Sequence, residues 1–230
     1  MKKIVMTILA TILFLSTASM GEENGYMVQD SYVLNKDQTS INSKIVLLKD
    51  KNLPAGIPNA ELEADKYKPM ILQIIDSQNK TIDSKKFEYP IAWIEKKIYD
   101  GTTFYFLTID EYVGMGSYSG KRTLLFQVKN GKIMWQSYHD DKTKKDKDIV
   151  LYSPLKSAWE EASSNKNIGF NQIYCKPNFD KDEEFTLSYV RYVYEDNTWK
   201  KFENKEIGYW EADHDFPDHS KFNYKGTQLK

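Results

Sequence analysis

The sequence predicts a mainly β protein: a single antiparallel β-sandwich or curved-sheet domain over residues 21–230, with one short packing helix, behind a signal peptide at 1–20. Three observations predict it. Asn130-Gly131 and Asp100-Gly101 each sit between apolar runs, and a two-residue type I′ hairpin turn needs the positive φ that such pairs tolerate. Aromatic side chains, which suit a pleated and half-buried surface, make up 14% of the chain, with 16 tyrosines. Cys175 is the only cysteine, so an exported chain closes no internal disulfide and must hold its fold by core burial.

The leader comes first. Lys2 and Lys3 precede an apolar run at 4–15, and small residues follow at Ser16-Thr17-Ala18 and Ser19-Met20-Gly21. This is the three-part pattern of a secretory signal peptide. The run is shorter than the roughly 20 apolar residues of a membrane span. Cleavage leaves about 210 residues, suited to one domain or two small ones, and no later stretch has transmembrane length. Formal net charge is −1, and Arg122 and Arg191 are the only arginines. A nucleic-acid reader shows a basic excess and uses guanidinium forks, so that class is set aside.

Strands are expected at 26–34, 45–48 and 70–75, the last two as buried apolar runs. Pro54, Gly56 and Pro58 make 53–60 a loop, and Pro69 limits any helical turn at 60–67. Asp76-Ser77-Gln78-Asn79 has turn chemistry. The Asp100-Gly101 turn then sets a register of Ile98 with Thr103, Lys96 with Tyr105, Ile94 with Leu107 and Ala92 with Ile109. Residues 104–109 are apolar on both faces, the mark of a central strand. The Asn130-Gly131 turn likewise pairs Lys129 with Lys132, Val128 with Ile133, Phe126 with Trp135 and Leu124 with Ser137. One face of this hairpin is apolar; the other, with Leu125, Gln127, Lys129, Met134 and Gln136, is mixed. Residues 91–138 thus form a four-stranded antiparallel meander.

The run 139–148 alternates in charge and reads as a solvated loop, followed by a short strand at 149–152. Ser153 as N-cap and Pro154 in the first turn predict a helix over 155–163, with Leu155, Ala158, Trp159 and Ala162 at helical spacing. Further strands are expected at 168–175, 185–194, 199–202 and 206–210, with a turn at 195–198. The tail 212–230 is an irregular acidic segment.

Three groups of residues are the candidates for function. Tyr112, Met115 and Tyr118 lie in a Gly/Ser/Tyr loop between the hairpins, a composition that lets aromatic tips stack on a sugar or press on a partner. His139, His214, His219 and Asp213 supply the imidazole and carboxylate ligands of a transition-metal site, although no HExxH-like spacing orders them and solvated acidic loops are common. Asp110 and Glu111, ending the central strand, are the acids from which a paired-carboxylate site would start. No nucleophile elbow, phosphate loop or calcium loop is present, and Cys175, in a strand without a local base, reads as an inert buried thiol. The expectation is an exported, non-enzymatic protein of the bacterial envelope, periplasmic or extracellular, that binds a small ligand or a protein partner without a cofactor. A metal-dependent hydrolase using the tail histidines and a structural subunit of an envelope assembly are the alternatives.

Overall fold

In the computed structural model, residues 25–39, 42–54, 66–111, 120–153, 157–162, 168–177 and 184–209 are described. The chain is mainly β, with several antiparallel sheets, and no α-helix occurs among the described residues. No helix there is long and apolar enough to cross a membrane.

The first sheet follows chain order: β1 (Tyr26–Val33), β2 (Ser43–Asp50), β3 (Ile71–Asp76) and β4 (Thr81–Lys86). The central sheet is built on β5 (Ala92–Tyr99), β6 (Thr102–Asp110), β7 (Lys121–Lys129) and β8 (Lys132–Trp135). Both glycine turns have the predicted form: Asp100 and Gly101 have φ 45° and 76°, Asn130 and Gly131 52° and 71°. The register of β5 on β6 is the predicted one throughout. On β7 and β8 it holds from Lys129–Lys132 to Phe126–Trp135.

Beyond that point the predicted pairing of Leu124 with Ser137 fails. The Gln136 N–H bonds the Leu125 carbonyl at 2.9 Å, and the chain then leaves the central sheet. It runs through β9 (Ser137–Asp140) and β10 (Lys145–Asp148), and re-enters where the Ile149 N–H bonds the Gln136 carbonyl at 2.8 Å. β11 (Val150–Ser153) takes over the edge of β7, pairing Val150 with Leu124. The charged run expected as a solvated loop is therefore a hairpin excursion. Its turn is tied by Asp140, whose carboxylate accepts the Lys142 N–H at 2.9 Å and whose carbonyl accepts the Lys144 N–H at 2.8 Å.

The third sheet has the order β10-β9-β15-β14-β13-β12, with β12 (Ser157–Glu161), β13 (Ile168–Pro177), β14 (Glu184–Glu195) and β15 (Thr198–Tyr209). The predicted helix is corrected here: Ser157–Glu161 is an edge strand whose Trp159 lies opposite Gln172 of β13. Tertiary pairing overrides the helical spacing. Trp159 stacks on Phe106 at 6.5 Å and meets Phe170 edge-on at 5.9 Å. Strands expected at 199–202 and 206–210 are one continuous strand, β15, paired with β14 along its length. β4 was not anticipated, because TIDSKK has no apolar face to declare it.

The two faces of the central sheet carry different cores. Ile45, Leu47, Leu72, Ile74, Ile94, Leu107 and Ile109 share one buried cluster with Tyr105 and Phe126. On the opposite face Phe104, Phe106, Phe170, Tyr138, Tyr192 and Trp199 form another. Eight of the nine residues of β6 are buried, as its two-sided apolar sequence requires.

Candidate functional site

The excursion through β9 and β10 leaves one part of the central sheet without a cover, and a cleft of about 750 Å³ lies there. Its floor is the mixed face of the β7–β8 hairpin, with Gln127, Met134 and Gln136. One wall is the β9–β10 hairpin, with Ser137, His139 and Asp146; the other is the β14–β15 hairpin, from Tyr194 to Phe202. The volume falls within the roughly 300–1,000 Å³ usual for small-ligand sites. The walls pair through backbone where Trp199 bridges Tyr138, the one parallel pair between β15 and β9 among the described residues. Past that bridge the two strands part.

Gln136 pins this junction. Its side-chain carbonyl accepts the Trp199 indole N–H at 3.0 Å, and its amide nitrogen donates to the Met134 carbonyl at 3.1 Å. Gln127 is different. It is 6% exposed and faces the cleft, and its amide has no hydrogen-bond partner among the described residues. Its polar atoms reach the cleft, so the floor presents an amide, donor and acceptor together, that solvent or a ligand can bond.

Most charges around the cleft are matched. His139 Nδ1 lies 3.0 Å from Asp146 Oδ1, both exposed. Lys200 Nζ is 2.9 Å from Glu195, which raises the lysine pKa, and Lys201 Nζ is 3.1 Å from Glu203. Lys201 also sits over the Tyr138 ring at 5.3 Å, a cation–π contact. At the foot of the β9–β10 wall, Lys147 bonds Asp140 and holds its carboxyl well below the usual range, with the turn N–H groups adding to the effect. The Tyr194 hydroxyl, whose pKa burial raises, donates to Asn197 Oδ1 at 3.4 Å. Asp196 and Asn197 form a third tight turn, with φ 52° and 61°. A smaller hollow of about 430 Å³ lies behind this turn, bounded by Tyr99, Asp100, Thr102 and Ile168.

Of the residues singled out in the sequence, His139 lies in the cleft. Its proposed companions Asp213, His214 and His219, and the loop residues Tyr112, Met115 and Tyr118, lie outside the described residues. Among the described residues no group of three or more His, Cys, Asp or Glu is placed to hold a metal ion. The base of the tyrosine loop is described: the Glu111 N–H bonds the Gly120 carbonyl at 3.0 Å, and Arg122 Nη2 lies 2.6 Å from Glu111 Oε1. Burial raises the Glu111 pKa while Arg122 opposes the rise. Asp110, 7% exposed, pairs in register with Lys121. This base and the cleft stand at opposite ends of β7, about 20 Å apart along a strand rising roughly 3.4 Å per residue.

Gln127, the residue most specific to the cleft, was not singled out in the sequence. Its signal was present in the mixed face of the β7–β8 hairpin, where an amide interrupts the run Leu124-Leu125-Phe126-Val128. No family model, no curated protein and no solved structure matches the chain.

Proposed function

We propose that this chain is an exported protein of the bacterial envelope that binds a small ligand in the cleft between the central and third sheets without transforming it. The observation that carries the reading is the Gln127 amide, which opens onto a cleft of ligand size with no hydrogen-bond partner among the described residues. Support for export comes from the charged, apolar and small-residue pattern of 1–20. In the same reading the three sheets are the layers of one sandwich, because the central sheet shares a buried core with the sheet on each side.

The test pairs localisation with occupancy. Fractionation and N-terminal sequencing of the protein expressed in a bacterial host should place a chain cleaved near residue 20 outside the cytoplasm. Mass spectrometry of protein purified gently, then denatured, should release a small molecule that Gln127→Leu and Met134→Trp do not retain. Retention of the same molecule by both variants would remove the cleft from consideration.

One observation favours a second reading: His139 and Asp146 stand together in the cleft wall. If these join the histidines of the tail, the site is that of a metal-dependent hydrolase. Stoichiometric zinc, manganese or iron in the purified protein, lost on mutating His139, His214 and His219 to Ala, would select it.

A further inference from the structure

We infer that the ligand of this cleft is a neutral saccharide, recognised through a pair of adjacent hydroxyls; the inference rests on the reading of the cleft as a ligand site. The charges decide first. Lys200, Lys201 and His139 each face a carboxylate at 2.9–3.1 Å, so a phosphate or carboxylate ligand would have to break existing ion pairs to gain new ones. Charge-assisted recognition of an anion uses converging cations. Here Lys200, Lys201 and His139 converge on the protein's own acids, and Lys129, exposed at the β7–β8 strand end, is a single cation at the rim rather than a converging set.

The groups left over are neutral. Gln127 presents a carboxamide, donor and acceptor side by side in one plane, with its side chain 6% exposed and its partners missing among the described residues. The complement of that arrangement is a vicinal diol: one hydroxyl accepts from the amide NH2 and its neighbour donates to the carbonyl oxygen. Ser137 adds a hydroxyl on one wall, and on the other the Thr198 hydroxyl, which donates to the Glu195 carbonyl at 3.0 Å, can still accept. A purely apolar ligand would cover the amide and leave it unsatisfied, which is the costly outcome for a buried polar group.

The apolar groups fit the same ligand. Tyr194 and Phe202 are half-buried in one wall and Met134 is 46% exposed on the floor. Ring faces and a thioether give a saturated sugar ring a surface for its C–H face, while its hydroxyls turn to the amide and the wall hydroxyls. Ligand sites of this kind combine apolar walls with a few placed polar groups. A peptide would offer the amide a similar donor and acceptor, but it brings ionised termini or side chains to a cleft in which Lys200, Lys201 and His139 already face carboxylates.

The experiment is isothermal titration of the mature protein with neutral di- and trisaccharides of glucose, galactose, mannose and N-acetylglucosamine. Inorganic phosphate, citrate and neutral tripeptides are titrated alongside. At least one neutral saccharide should bind, and Gln127→Leu should weaken it about tenfold or more, as loss of a buried hydrogen-bonding group implies. Met134→Trp, which fills the floor from an exposed position, should weaken it too, so the test survives if Gln127→Leu fails to fold. Binding of phosphate, citrate or a tripeptide, lost in these variants, with no saccharide binding, would overturn the saccharide and keep the cleft. Binding of no probe in any class would overturn both.

Discussion

The two faces of the central sheet are covered in different ways, and the difference explains where the cleft lies. Toward the first sheet the core is mostly aliphatic, and every strand pairs with its neighbour in sequence. The outer edges of the two sheets are joined by side chains: the Asp30 carboxylate accepts the Ile94 N–H at 2.9 Å on one side, and Asp83 accepts the Ile133 N–H at 2.8 Å on the other. The Tyr32 hydroxyl adds a bond to the Ile94 carbonyl at 2.7 Å. That arrangement answers the exposed backbone of an edge strand. Toward the third sheet the core is aromatic: Phe104 meets Tyr194 at 5.3 Å and Trp199 at 5.9 Å, and Phe170 meets Phe106 at 5.6 Å and Trp199 at 5.7 Å. Here the chain leaves one sheet for another at Gln136, and the covering sheet is held at that corner by one Trp199–Tyr138 pair. A layer closed along both edges leaves no room for a ligand. A layer of large rings, split where β9 and β15 part, does.

The largest expected effects come from breaking each core in turn. Phe104→Ala should destabilise by about 3–5 kcal/mol and Leu47→Ala by about 2–5 kcal/mol in urea unfolding. Milder changes separate the layers. Leu47→Met should cost less than about 1.5 kcal/mol. A Phe104→Leu, Trp199→Leu double-mutant cycle should show a coupling of about 0.5–1.5 kcal/mol from the lost ring contact. A coupling near zero would erase the distinction between an aliphatic and an aromatic layer.

Removing an edge fastening should cost less. Asp30→Ala and Asp83→Ala each leave a strand N–H without its acceptor, a loss of about 1–3 kcal/mol. Amide exchange should speed up at Ile94 in the first variant and at Ile133 in the second; faster exchange at neither would show that the edges are closed by something else.

Asp50 gives a pH-dependent comparison within the aliphatic half. Its carboxylate accepts the Lys68 N–H at 2.8 Å and the Asn52 N–H at 2.9 Å, and the Lys68 bond is the main reason its pKa lies below the ordinary value of 3.8. A depressed folded pKa stabilises above the unfolded value, and that stability is lost as pH falls through the folded value. Asp50→Asn should therefore be less stable than the parent at pH 7 by about 1–2 kcal/mol, with the gap closing below pH 3.8. A gap that stays constant with pH would mean that the charge on Asp50 has no part in it.

The turns give an effect of similar size. Gly131→Ala and Gly101→Ala should each cost about 1–2 kcal/mol from left-handed backbone alone, because a Cβ would meet only ordinary contacts at Gly131, the nearest at 3.5 Å, and nothing within 4 Å at Gly101. A much larger loss at Gly131 would point to packing against Ile82 and Thr39.

The parts of the fold legible in the sequence are those fixed by local chemistry. Asp100-Gly101 and Asn130-Gly131 declare their turns, the turns set the register, and alternation of the flanking residues assigns the faces. β6, apolar on both sides, announced its central place. What was not legible depended on distant partners. The Ser153–Ala162 stretch has helical spacing, yet Trp159 is held by Phe106 and Phe170, which arrive from other strands. The charged run at 139–148 folds back on itself as a hairpin only because Gln136 turns the chain out of the central sheet. The cleft was half legible. His139 stood out as a residue type, whereas Gln127 became meaningful only once its burial was known.

The most direct measurement is the side-chain amide resonance pair of Gln127 in a 15N-labelled sample, assigned by its absence from Gln127→Leu and followed while a neutral trisaccharide is added. The account predicts that these two resonances shift together, saturate, and do so at the same concentration as the backbone amides of Ser137 and Thr198. If Gln127 stays unmoved while a bound sugar perturbs residues elsewhere, the cleft is not the binding site.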